Sequence, residues 1–363
     1  MLIIEQERER IEIHFDSRAE AVTFSSNGEY LFSGGSEQEV QVWRVEDGTR
    51  TATMPTKGYM LCLAVSKDGK LIAAGANSAV YVWDAETHER VLEHELDSSE
   101  VNCVDFSPDG SRLVWACDNE AAVWDIGTRK QLQTLHHEDR VKAAKYSPQG
   151  DRIATATKQS VRVFDSSDGR LLWDIKISVI SYYNTALLWS NLNNHLFVAS
   201  ASQITEIEES TASIVSEWEV PDTGFYSRIA QPSHGEFIAH ATKSTISFWD
   251  TVTRTQLGLF QSPEEIDSIA FSPDDRFIAV SRGSNGNIVI ESLSRINVSR
   301  TYFWIMACSN GSTVLDIHRK TRRKPAAFDL VRPRRQPIRV HPSKSIVLTV
   351  GLTHDSLRPL GRT

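Results

Sequence analysis

The chain repeats itself. Seven turn-like pentapeptides stand in one register: FSSNG from Phe24, VSKDG from Val65, FSPDG from Phe106, YSPQG from Tyr146, WSNLN from Trp189, QPSHG from Gln231 and FSPDD from Phe271. Successive starts are 40 to 43 residues apart. A second landmark follows each turn at a nearly constant distance: VWR ending at Arg44, VWD at Asp84, VWD at Asp125, VFD at Asp165, EIE at Glu208, FWD at Asp250 and VIE at Glu291. A period of this length is the mark of stacked structural units, each too small to fold alone.

Each unit reads as four strands. In the third unit VNCVDF runs into the turn, RLVWAC leaves it, AAVWD carries the landmark and QLQTL closes the unit. The middle runs are almost continuously apolar, as in strands covered on both faces. The last strand alternates, as expected for a strand with one wet face. A single sheet of this size cannot bury enough apolar surface, but sheets stacked around an axis cover both faces of one another and leave short outer edges. The large landmark residues then fill the space between neighbouring sheets. Truncating Trp124 to Ala is expected to cost roughly 3–5 kcal/mol if that residue is fully buried.

The turns and Trp-Asp endings resemble WD-repeat β-propellers over Arg10 to Glu291. The resemblance implies an all-β, seven-bladed propeller. RIEIHF, from Arg10 to Phe15, alternates like the fourth strands, and it is expected to close the ring as the outer strand of the last blade. Family repeats often carry a Gly-His pair before the first strand and an Asp six residues before the Trp. No Gly-His pair occurs here, and the Asp position holds Glu37, Asn77, Asp118, Lys158, Ala201, Lys243 and Ser284. The buried His–Asp network of the family is therefore expected to be mostly missing, with packing in its place.

The register breaks after Glu291. Residues 1–291 are expected to form the propeller. Residues 292–363 form either a degenerate extension or an irregular eighth blade, which leaves eight blades as the alternative count. That end contains a basic run: between Arg319 and Arg339 there are nine Lys or Arg and one acid, Asp329. The chain as a whole carries a formal charge of -8, so the remainder is acidic at -16. An acidic body argues against general nucleic-acid affinity. Of four cysteines none forms a CxxC pair, and Cys62, Cys103 and Cys117 fall in apolar strand-like runs. They read as small buried hydrophobes in a reducing compartment. The start MLIIEQERER lacks a signal-peptide core, and no apolar run approaches the ~20 residues of a membrane helix.

Motifs for phosphate, dinucleotide or acyl-transfer chemistry are absent from the sequence. Two acid–histidine clusters contain residue types that can ligate metals. In Glu93-His94-Glu95, strand alternation puts the two acids together and His94 opposite, which suits a solvated outer strand. His136 to Asp139 read as a loop between blades, with His137 hydrogen-bonded locally. No catalytic residue, cofactor, metal, small-molecule substrate or membrane partner is expected.

The resemblance implies a non-enzymatic platform for a protein or peptide partner. By family analogy, the residue ahead of each first strand lies on the rim of the central channel. In order these are Arg18, Tyr59, Glu100, Arg140, Tyr183, Phe225 and Glu265. Arg18, Tyr59, Arg140, Tyr183 and Phe225 have the composition of interface hot spots and are the candidate contacts. The aromatics could instead fold back over neighbouring loops. Two alternatives remain open: a nuclear or chromatin-associated propeller taking a basic peptide, with RKTRRK as an import signal, and a ubiquitin-ligase substrate receptor. The latter often has Arg or Lys two residues after Trp-Asp, where this chain has Glu86, Gly127 and Val252. The expected location is cytoplasmic, with the nucleus as the alternative.

Overall fold

The computed structural model describes residues 10–14, 17–177, 186–200, 202–220, 227–283 and 286–294; of Ser98 and Ser99 only the backbone is described. The chain divides into two units, Met1–Ser312 and Thr313–Thr363, and the second lies wholly outside the described residues. Every regular element among the described residues is a β-strand.

The turns come first because they set the register. In FSPDG, Ser107 Oγ donates to Asp109 Oδ1 (2.6 Å) and accepts from Arg112 N (2.9 Å). Asp109 Oδ1 in turn accepts from Ser111 N (3.1 Å), and Gly110 takes a φ of +71°, which costs least in a residue without Cβ. The same Ser–Asx pairing closes the turns at Ser25, Ser66 and Ser272. The landmark aspartates do a second job. Asp84, Asp125, Asp165 and Asp250 each accept backbone N–H groups from the turn that follows. These hydrogen bonds, with those from Thr87, Thr128 and Ser167 side chains, hold the carboxyls of Asp84, Asp125 and Asp165 below the usual carboxylate range.

Strands between these turns pair antiparallel into seven blades. Blade 1 is Ala19–Phe24, Tyr30–Gly35, Glu39–Arg44 and Arg50–Pro55; blade 4 is Ala143–Tyr146, Arg152–Ala156, Ser160–Asp165 and Leu171–Lys176. Blades 5 and 6 start at Ala186 and Arg228. Blades 2 and 3 differ from expectation: Leu71–Asp84 spans the second and third strands of blade 2, and Arg90–Phe106 runs from its outer strand into blade 3. Asn77 pairs with Glu100, so the two blades share one six-stranded sheet.

Blade 7 is Ile266–Phe271, Phe277–Arg282 and Asn287–Ser292, and its fourth strand is Arg10–His14. The register runs from Arg10 opposite Glu291 to His14 opposite Asn287. The first strands of the blades touch in cyclic order, blade 7 against blade 1 included. Seven apolar clusters fill the seven gaps. One joins Ile13, Ile288 and Ile290 of blade 7 to Val22, Leu31 and Trp43 of blade 1. Another joins Phe32 and Val42 of blade 1 to Ile72, Tyr81 and Trp83 of blade 2. The strands that would build an eighth blade lie outside the described residues.

The landmark residues fill gaps unequally. Trp43, Trp83, Phe164 and Trp249 are buried. Trp124 is only half-buried, packed on His94 and Trp115, and its Nε1 has no acceptor. The truncation cost of a fully buried ring therefore does not apply to it. His94 corrects the solvated-strand reading. Glu93 and Glu95 do point together and share Lys57, but His94 faces the gap to blade 3, 4.2 Å from the Trp124 ring. Burial lowers its pKa.

Candidate functional site

The first strands form the innermost circle, so their axis-facing side chains line a central cavity of about 170 Å³ to which every blade contributes. A β-bulge marks the position: strand pairing skips Glu20, Leu61, Asn102 and Asp267 in the first strands of blades 1, 2, 3 and 7. The rim candidates stand six positions before the turn residue; the cavity residues stand four and three before it. The fourth-before set is Glu20, Leu61, Asn102, Lys142, Ser227 and Asp267, with Thr185 outside the described residues. Of the six described, Glu20, Leu61, Asn102, Lys142 and Ser227 line the cavity. Alternation in the sequence does not mark them, because the bulge breaks it.

Arg18 and Tyr59 are drawn into this layer. Arg18 Nε donates to Asp267 Oδ1 (3.1 Å) and lies 2.9 Å from Glu20 Oε1. The Tyr59 hydroxyl donates to the same Glu20 oxygen. Glu20 and Asp267 are 8% and 1% exposed, so one arginine and one phenol hold two buried acids across blades 7, 1 and 2. Burial raises the Asp267 pKa against the pull of Arg18. Burial and the Glu20 carboxylate raise that of Tyr59.

Arg140 is more exposed, bonding Glu100 at 3.3 Å and Asp118 at 3.4 Å. Glu265 pairs with Lys243 at 3.3 Å. Tyr183 and Phe225 lie outside the described residues; of the other three candidates the structure brings together Arg18 and Tyr59, through Glu20, whereas Arg140 pairs with Glu100 and Asp118.

Deeper in the cavity, Lys145 Nζ donates to Asp105 Oδ1 at 2.9 Å. Burial opposes the Lys145 charge, yet the Asp105 carboxylate prevails and raises its pKa. Cys62 and Cys103 also line the cavity. Their thiols donate to Val101 O (3.5 Å) and Ala144 O (3.3 Å) of the next blade. Burial raises both pKa values, which disfavours the reactive thiolate. Among the described residues no group of three His, Cys, Asp or Glu could hold a metal.

The polar network is reduced but not replaced by packing alone. His137 is buried, with Nε2 2.8 Å from Thr155 Oγ1 and Nδ1 2.9 Å from Leu135 O. Burial lowers its pKa to about 4. Asp118, the one residue in the family's Asp position, pairs with Arg140 instead. Trp43 and Trp249 donate to Ser33 and Ser247, each at 2.8 Å.

Comparison with known proteins follows the same repeat. The model of the WD40 family (WD domain, G-beta repeat) matches residues 8–44, 48–84, 87–125, 129–165 and 254–290, together more than half of the chain. The chain belongs to the WD40 repeat family. Each WD40 match starts near an outer strand and ends at the third strand of the next blade, and the first includes Arg10–His14.

Among curated relatives, the protein groucho of Drosophila melanogaster is 28% identical over 151 residues, covering 40% of this chain and 20% of that protein. The small ribosomal subunit protein RACK1 of Caenorhabditis elegans is 26% identical, covering 39% and 46%. Eukaryotic translation initiation factor 3 subunit I of Neurospora crassa is 24% identical, covering 51% and 58%. The WD40 chain thus spans less than two thirds of the length of each. A chain of Kuenenia stuttgartiensis hydrazine synthase superposes with a TM-score of 0.66 at 17% identity, covering 77% of this chain and 97% of its own. That likeness concerns the fold alone. WD-repeat proteins are typically protein-interaction scaffolds.

Proposed function

We propose that this WD40 chain is a non-enzymatic scaffold that takes a protein or peptide partner on the propeller face where the first strands begin. The observation that carries the reading is the polar cavity on the axis, bordered by the rim side chains Arg18, Tyr59 and Arg140. Tyr183 and Phe225 share that register and belong to the same proposal. A location in the cytoplasm, or in the nucleus through the basic run at 319–339, is also part of it. Cations in the cavity disfavour a basic peptide there, which weighs against the chromatin alternative.

The geometry selects the residue to test. Tyr59 holds a buried acid, so its removal would lower stability as well as binding. Arg140 is exposed and its ion pairs are long, so Arg140→Ala is expected to cost at most about 1 kcal/mol. Capture of partners by the tagged full-length chain, read by mass spectrometry, should lose one or more proteins with Arg140→Ala while the melting temperature holds. An unchanged partner set would contradict the use of this face.

A further inference from the structure

The outer strands are the open edges of the propeller, and natural sheets guard such edges with charge, proline or cover. Six of the seven outer strands carry charge: Glu12, Arg50, Glu93, Lys130, Lys176 and Glu217 stand one in each. The exception is the outer strand of blade 6, Gln256–Gln261, whose sequence QLGLFQ holds neither a charge nor a proline. Leu259 near its centre is 46% exposed. The direction of its backbone groups follows from the residue beyond the strand. Ser262 N donates to Ser244 O (2.8 Å), so alternation turns the N–H and C=O of Phe260 and Gly258 toward the third strand and those of Leu259 and Gln261 outward. Side chains alternate as well. Phe260 packs toward blade 7, with Arg282 over its ring, and Gly258 lies on the same face. Leu259 stands on the other face, opposite Ser247. The backbone of Gly258 is not left-handed, so it does not demand glycine. A glycine inside a strand marks a place that another chain approaches closely.

We propose that this edge pairs with the same edge of a second copy of the chain, antiparallel and centred on Leu259. A two-fold axis through a residue keeps like faces together across the seam, and Leu259 is the central residue whose N–H and C=O point outward. In this register Leu259 meets Leu259 of the second copy, and the two exchange a pair of N–H···O=C bonds. Gly258 then lies opposite Phe260 of the second copy, so each ring covers a glycine. Such an interface uses one patch twice, which requires that the patch complement itself. The other edges do not. The position of Leu259 holds Asp174 in blade 4 and Glu217 in blade 5, where the same pairing would set like charges face to face. The proposal goes beyond the scaffold reading and does not depend on it. The edge lies on the circumference, so both copies keep their rims free, and a partner with two binding segments gains from both.

The test is sedimentation equilibrium of the full-length chain over a range of concentrations. Wild type is expected to show a monomer–dimer equilibrium. Leu259→Lys sets two ammonium groups on the axis and should raise the dissociation constant about tenfold or more. Leu259→Pro removes an N–H that faces away from the blade, so it should abolish the dimer and leave the ladder to the third strand intact. Leu132→Lys, at a 44% exposed leucine on the outer strand of blade 3, should dimerise as wild type does. Melting temperatures taken where wild type is monomeric report whether each variant folds. The register has its own test. Leu259→Cys should form a disulfide between two chains under mild oxidation, since paired residues stand about 5.5 Å apart. The two copies of Gln261 stand roughly 14 Å apart in this register, so Gln261→Cys should behave as wild type with its four native cysteines.

A wild type that stays monomeric overturns the proposal and leaves the edge to a strand of another protein. A dimer that survives Leu259→Lys in a folded chain overturns it as well, and so does equal loss of the dimer with Leu132→Lys. Cross-linking of Gln261→Cys in preference to Leu259→Cys contradicts pairing about Leu259.

Discussion

At the scale of single residues, burial without charge compensation has a measurable consequence at His137. Its pKa falls from 6.5 to about 4 on folding because the imidazolium is poorly solvated between Leu135, Thr155 and Phe164. The unfolded chain therefore binds a proton that the folded chain refuses between these values. Stability from this group is complete above the unfolded pKa and declines as the pH falls from 6.5 to about 4, by at most about 3 kcal/mol. Denaturant midpoints measured across that range should fall for wild type and fall less for His137→Gln. Parallel slopes would show that His137 is solvated in the folded state. The sequence marked His137 by its place four residues before Val141, but not its depth. Depth depends on Thr155 and Phe164, which come from other strands of the blade and carry no local signature.

At the scale of the element, the turn is the part most legible in the sequence, yet its packing differs from blade to blade. Gly69 and Gly110 occupy equivalent positions with φ of +74° and +71°. An alanine at either position is strained. At Gly110 the nearest atom to an added Cβ is 3.8 Å away, so strain alone operates, about 1 kcal/mol. At Gly69 the Cβ would fall 1.8 Å from Ser26 Oγ and 2.8 Å from Ser26 Cβ, in the turn of blade 1. Gly69→Ala is therefore expected to shift the denaturant midpoint more than Gly110→Ala. Equal shifts would mean that the turns of blades 1 and 2 are not nested. The motif predicts the φ; only the neighbouring turn reveals the crowding. Alternation behaves the same way. It placed Glu93 and Glu95 on one side and His94 on the other, but which side meets a blade is a property of the ring.

At the scale of the whole molecule, the seven-fold spacing and the Trp-Asp endings made the architecture legible, because no sheet of four short strands buries both faces unaided. Blades 5 and 6 kept the spacing after each lost a part of the motif: in blade 5 Ile207 stands where a Trp does elsewhere, and in blade 6, which keeps Trp249-Asp250, Gln231 stands where a Phe does. Binding chemistry was far less legible. The rim positions came from family analogy, and the cavity residues two positions further along have no motif to mark them. What lines the cavity is set by the closed circle of first strands, which no local motif records.

That circle depends on a strand from the start of the chain completing a blade made near residue 290. The His14 and Asn287 side chains meet at 3.0 Å across that seam, opposite each other in the register and near the surface. Cysteines placed at both positions in the full-length chain test the closure directly, with mobility on a non-reducing gel and the unfolding midpoint as readouts. A closed ring is expected to form the disulfide under mild oxidation in nearly every molecule and to unfold at a higher midpoint when oxidised, by about 2–4 kcal/mol. Free thiols at both positions, or cross-links only between separate chains, would contradict it.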